Sequence, residues 1–136
     1  MIGQPNDSGI AHMGELSAEA LKLKGVLGYV VDGGCRDCSA IIERQFPVFC
    51  KYMTPSDVVG RWRVTSMTEP IEIDGVEIFS GDYMIGDMDG VIIIRANDAE
   101  KVLERSEYLV NTETELRKAI LNGMDPLEAY LKYRVF

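Results

Sequence analysis

Cationic side chains are scarce in this chain of 136 residues: 14 Lys and Arg stand against 22 Asp and Glu, a formal charge of −8 with the single histidine neutral. That deficit argues against a nucleic-acid partner, because phosphate backbones are held by clustered Lys and Arg. It also means that an anionic substrate must be met by a few local positive groups or by a metal ion. Cysteine is scarce too. Cys35, Cys38 and Cys50 are few and odd in number, which excludes a disulfide framework and points to a reducing, cytoplasmic setting. Apolar runs are about six residues at most, far short of a membrane span, so no membrane partner is expected. No basic segment followed by an apolar stretch opens the chain as a signal would.

What is present is a 46% hydrophobic chain with enough apolar residues for one globular core. Residues 1–12, MIGQPNDSGIAH, are turn formers without an apolar period and read as an irregular lead-in to a domain over 13–136. From Met13 to Lys24, Leu16, Ala20 and Leu23 recur at helical spacing, predicting an amphipathic helix stopped by Gly25 with those residues inward. VLGYVV (26–31) reads as a buried strand, 39–44 as a short helix and 47–53 as a second strand. Between Gly60 and Arg95 come β-prone pieces, RWRVTSM, IEI, VEIF and VIIIR, separated by turn formers. Asn97 and Glu100 suggest a capping box for a helix to about Asn122, with Val102, Leu109, Leu116 and Ile120 inward. Asp125-Pro126 suggests the start of a last short helix. The order predicts a mixed α/β layered fold.

The stretch VVDGGCRDC (30–38) raises the functional question. Branched residues followed by Asp32-Gly33-Gly34 place Arg36 and Asp37 at the carboxyl end of a strand, where α/β folds build their sites. The plain alternative is a surface ion pair on a tight turn, with Gly33 and Gly34 supplying positive φ.

The wider pattern shifts the balance toward a functional site. HMGELSAEALKLKGVLGYVVDGGCRD, FPVFCKYMTPSDVVGRWRV and GDYMIGDMDGVIII together resemble the RraA-like family, as does an acid (Glu15) followed after twenty positions by Arg36-Asp37. That family includes class II 4-hydroxy-4-methyl-2-oxoglutarate aldolases and proteins labelled dimethylmenaquinone methyltransferases. The resemblance implies a swivelling β/β/α fold, a homotrimer, and a small 2-oxo acid substrate acted on with Mg²⁺ or another divalent ion such as Mn²⁺. By the same resemblance, Asp37 holds the metal, partly through water, with Glu15 as a possible second acid. Arg36 contacts the keto oxygen. The Met13-Gly14-Glu15-Leu16 segment offers backbone N–H groups to the substrate carboxylate, and Glu113 on the late helix is the candidate to reach a neighbour's site. These assignments suit the residue types. Mg²⁺ keeps waters and needs few carboxylates, a guanidinium is a permanent planar cation, and a helix start attracts anions.

Two departures shape the expected reaction. Aldolase members carry a further acid three residues after the aspartate, where this chain has Ala40, so decarboxylation of oxaloacetate or a related 2-oxo-4-carboxylate acid fits better than aldol cleavage. The family's helices and strand before the Gly-acid helix have no counterpart, their place being taken by residues 1–12. The competing expectations are a protein-binding regulator, as RraA is of an RNA-degrading endonuclease, and an inactive relative.

Other features have plainer readings. Cys35 and Cys38 form one C-x-x-C, read as packed thiols rather than a redox pair or a zinc site with Cys50 and His12. Asp82, Asp87 and Asp89 suit turns rather than calcium. His12 reads as a cap or surface residue. Among six lysines only Lys51 sits in an apolar setting that could favour a Schiff base.

Overall fold

The computed structural model describes residues 1–6 and 9–135. It divides into two compact units, Met1–Ile93 and Ile94–Phe136.

The first unit is organised by β3 (Tyr29–Cys35), whose burial is nearly continuous because neighbours cover both faces. β4 (Val48–Met53) runs parallel along one edge, from Tyr29 opposite Val48 to Cys35 opposite Met53. The other edge is shared by two short parallel strands, β1 (Ile2–Gly3) beside Val30 and Val31, and β2 (Ala11–Met13) beside Gly34 and Cys35. Helices α1 (Glu15–Leu23) and α2 (Cys38–Glu43) make the crossovers that parallel pairing requires. The core comprises Met13, Ala18, Tyr29, Val31, Cys35, Ile41 and Phe46. Burying Ile41 or Phe46 contributes roughly 1.5–3 kcal/mol each.

Several expectations need correction. Residues 1–12 are not without core elements: β1 and the start of β2 lie there, and Ile10 and Ala11 are buried. Strands of two and three residues carry no readable period; their partner β3 holds them in place. β3 starts later than expected and runs through Gly33 and Gly34, neither of which has positive φ. These glycines serve close approach instead. A Cβ at Gly33 would meet the His12 ring at 2.6 Å, and one at Gly34 the Tyr52 ring at 2.6 Å. On α1 the buried face is Ala18 with half-buried Leu21, whereas Leu16 and Leu23 are 79% and 84% exposed. Two apolar stripes were available on that helix, and its exit from β2 turned the other one inward.

Two small hairpins complete the unit. β5 (Ile71–Ile73) and β6 (Val76–Ile78) join through Asp74 and Gly75, both at positive φ, the two-residue turn that Asp-Gly favours. β7 (Tyr83–Gly86) pairs with β8 (Val91–Ile94), and between them Asp87 Oδ1 accepts the N–H groups of Asp89 and Gly90. Asp87 and Asp89 thus sit in a turn, as expected. RWRVTSM (61–67) forms no strand, while YMIG, unforeseen as a strand, does.

In the second unit a 3-10 turn (Ala96–Asp98) leads into α3 (Ala99–Leu121), followed by α4 (Pro126–Tyr133). The Asn97 capping box does not form, since the cap position is Asp98 and no side chain bonds there. Asp125 does cap α4, accepting from Leu127 N at 2.9 Å and Glu128 N at 3.2 Å. Leu116 is buried, Leu109 and Ile120 half-buried, and Val102 exposed. No helix among the described residues is long and apolar enough to cross a membrane.

Candidate functional site

The parallel ladder delivers Arg36 and Asp37 directly. Arg36 N donates to Met13 O at 2.9 Å, and Thr54 N donates to Cys35 O at 3.0 Å, so the ends of β2, β3 and β4 are clamped together. Asp37 then adopts a left-handed conformation, φ 56° and ψ 33°, which aspartate tolerates better than most residues. That turn sends its side chain back toward the start of α1, where Asp37 Oδ2 accepts Glu15 N–H at 3.1 Å and stands 3.4 Å from Arg36 Nε.

Gly14 makes the meeting possible. Its φ of −142° is ordinary extended backbone, but a Cβ there would lie 2.9 Å from both Arg36 Nε and Asp37 Oδ2. The Arg36 and Asp37 side chains are 37% and 43% exposed, open to a small anion.

A residue that sequence reasoning missed joins them. Arg36 Nη1 donates to Asp57 Oδ2 at 2.5 Å, while Asp57 Oδ1 accepts Val59 N–H at 2.7 Å. The Val59 N–H and the Arg36 guanidinium hold the Asp57 carboxyl below the usual carboxylate range. Its bond to Asp57 raises Arg36 further. The available signal was an acid in the Thr-Pro-Ser-Asp loop after β4, because β4 is parallel to β3 and ends beside it.

Other predicted residues are placed differently. Glu15 turns its carboxylate to Arg44 Nη2, with Glu19 3.9 Å from Arg44 Nε. Its backbone, rather than its side chain, addresses Asp37. Arg44 Nη1 also donates to Ala40 O at 3.0 Å, at the position where an aldolase acid is absent. Met13 is buried and Leu16 exposed, so side-chain contacts there are not what the segment offers. Glu113 lies on α3 in the second unit, paired with Arg117 at 2.6 Å. Lys51 pairs with Asp32 at 2.5 Å and Asp74 at 3.7 Å, which raises its pKa, the wrong direction for a Schiff-base amine. His12 is neither cap nor surface residue; it is half-buried in β2, its ring edge-on to Trp62 at 5.0 Å. The three cysteines are free thiols. Burial, and then the neighbouring Cys38, push Cys35 up to about 12.

Among the described residues no group of three or more His, Cys, Asp or Glu could hold a metal ion. One donor remains. Asp37 Oδ1 has no hydrogen bond or ion pair among the described residues, and a single open carboxylate oxygen fits a hard cation that keeps most of its waters, such as Mg²⁺.

A family model described as RraA-like, Aldolase/RraA, matches residues 2–93. The chain belongs to the RraA-like family. A Halalkalibacterium halodurans protein named "Putative 4-hydroxy-4-methyl-2-oxoglutarate aldolase" is 30% identical over 132 residues, 97% of this chain and 62% of that one. The crystal structure of an uncharacterized protein from Pseudomonas syringae superposes with a TM-score of 0.89 over 94% of this chain and 64% of its own, at 24% identity, which supports the RraA-like fold. The RNA-processing inhibitor RraA from Thermus thermophilis matches at 26% identity and a TM-score of 0.59, over 68% of this chain and 57% of its own. The chain thus spans less than two thirds of the length of each of these three proteins.

Proposed function

We propose that the chain carries the site of a divalent-metal-dependent carbon–carbon lyase acting on a 2-oxo-4-carboxylate acid, with oxaloacetate decarboxylation the reaction it suits best. The observation that carries this reading is the convergence of Arg36 and Asp37 on the Gly14–Glu15 backbone at the carboxyl ends of parallel strands. The relative named as an aldolase supports the reaction class.

The residues divide the work as follows. First-turn N–H groups of α1 attract the substrate carboxylate. Arg36 faces the keto oxygen and stabilises the negative charge that grows there as the C3–C4 bond breaks. Asp37, oriented by the Glu15 N–H, would hold Mg²⁺ or Mn²⁺ through its open oxygen and through water. Such an ion supplies Lewis-acid stabilisation of charge on the substrate oxygens. Retro-aldol cleavage needs a base to remove the 4-hydroxyl proton, whereas loss of CO₂ does not. Position 40 is alanine, Glu15 is engaged by Arg44 and Asp57 by Arg36, so decarboxylation is favoured. Assembly as a homotrimer, with Glu113 brought by a neighbouring copy, belongs to the same proposal.

The test is pyruvate release from oxaloacetate with Mg²⁺, corrected for the metal's uncatalysed reaction. Asp37→Ala should abolish the protein-dependent rate; equal release by the variant refutes the proposal. A second reading, a protein-binding regulator of an RNA-degrading endonuclease, draws on the Thermus relative and the charge of −8. Salt-sensitive capture of a basic endonuclease segment by both wild type and Asp37→Ala, without pyruvate release, would favour it.

A further inference from the structure

The four arginines of the first unit fall into two pairs. Arg36 faces Asp37 and Asp57, and Arg44 faces Glu15 and Glu19. Arg61 and Arg63 face no acid among the described residues: Arg61 Nη1 donates to the neutral Ser56 hydroxyl at 2.6 Å, and Arg63 makes no hydrogen bond or ion pair there. Exposed arginines are often left to water, but these two line a cavity of about 680 Å³ with Trp62, Asn6 and Thr65. Its walls come from the chain leaving β1 and from the loop after β4, and both follow the carboxyl ends of parallel strands, where open α/β sheets place ligands. The walls are tied down. Trp62 Nε1 donates to Pro5 O at 3.1 Å, Gln4 Oε1 accepts Glu72 N–H at 3.2 Å, and Arg61 N and Trp62 N both donate to Val58 O. What the cavity leaves unspent is its two guanidiniums.

We propose that this cavity binds a small di- or tricarboxylate through Arg61 and Arg63. The site is separate from the Arg36–Asp37 pair and stands without the lyase reading. In a chain of formal charge −8, an anion is drawn only to a place where positive charge is not already neutralised, and within the first unit's arginines that place is here. Each guanidinium can fork one carboxylate through two parallel N–H bonds. Residues 61 and 63 stand at most about 7 Å apart along the chain, so the two forks suit two carboxylates carried on one short carbon chain better than one compact anion. The half-buried Trp62 ring gives that carbon chain an apolar wall, and the volume is in the range of small-molecule sites.

Trp62 is the only tryptophan of the chain, so its fluorescence reads the cavity directly. Without divalent metal and at low salt, tricarballylate should change that emission along a saturable curve, and acetate and inorganic phosphate should each bind about tenfold more weakly or worse. Arg63→Gln removes a side chain that holds nothing else in the fold and should weaken tricarballylate about tenfold. Arg36→Gln, in the other site, should leave its affinity within about twofold. Calorimetry on the same proteins covers the case in which binding leaves the emission unchanged. Absence of binding by both methods overturns the proposal, as does an affinity that Arg63→Gln leaves intact or that Arg36→Gln abolishes. Phosphate or a hexaglutamate peptide binding as tightly as tricarballylate also overturns it, because the cavity would then take a compact anion or an acidic protein segment. Pyruvate release enters none of these measurements, so their outcome and that of the lyase test are independent.

Discussion

Glu15 and Asp37 meet through the backbone of one and the side chain of the other: Glu15 N–H donates to Asp37 Oδ2 at 3.1 Å, while the Glu15 carboxylate turns away to Arg44. The acid of the family pattern is therefore structurally split, its amide oriented toward the site and its charge spent on holding α1 to the end of α2.

Glu15→Gln should accordingly be mild. A half-exposed ion pair contributes about 0–1 kcal/mol, so the melting temperature should shift by only a few degrees. Pyruvate release should fall far less than in Asp37→Ala. Parallel rate assays of the two variants check this, and equal losses would restore a direct role for the Glu15 carboxylate.

Gly14→Ala should damage the site through volume alone. The backbone there is extended and suits alanine, yet the new methyl group would lie 2.9 Å from Arg36 Nε and Asp37 Oδ2. Overpacking of this kind costs roughly 1–3 kcal/mol. Thermal unfolding measures that cost, and the rate of pyruvate release should collapse even where the variant remains folded.

Acid should loosen the Asp57 contact. A carboxyl held below its ordinary value contributes stability above the unfolded value, about 4, and that stability is lost as the pH falls toward the folded value. Denaturant unfolding between pH 6 and 3 should show a shallower acid decline for Asp57→Asn than for wild type. An identical decline would mean that the carboxylate makes no difference to folding.

Alkali acts through Cys35, whose thiol is pushed up to about 12. A raised folded value keeps the stabilising contribution intact below the unfolded value, about 8.5, and loses it as the pH climbs toward 12 because only the unfolded chain sheds its proton. Stability should decline from pH 8 to 10, less so in Cys35→Ala. In native protein, iodoacetamide should reach half-buried Cys38 and Cys50 before Cys35, which is 2% exposed. Labelling of Cys35 at the same rate as the other two would contradict that burial.

The sequence alone determined the mixed α/β class, the family, the helix starting near Gly14 and the Arg36-Asp37 pair at a strand's end. Apart from the family, which rests on the resemblance of several motifs, each of these rests on local chemistry: apolar period, turn residues and the position of charged groups. Asp74-Gly75 was legible as a turn and Asp125-Pro126 as a cap for the same reason. Tertiary structure alone decided that residues 2–3 and 11–13 become strands, that Ala18 rather than Leu16 faces the core, and that Asp57 rather than the Glu15 carboxylate completes the Arg36 cluster. These outcomes depend on partners twenty or more residues away. A two-residue strand, a choice between two apolar stripes, or an ion pair between Arg36 and Asp57 has no local signature, because its free energy exists only once β3 has brought its neighbours into register.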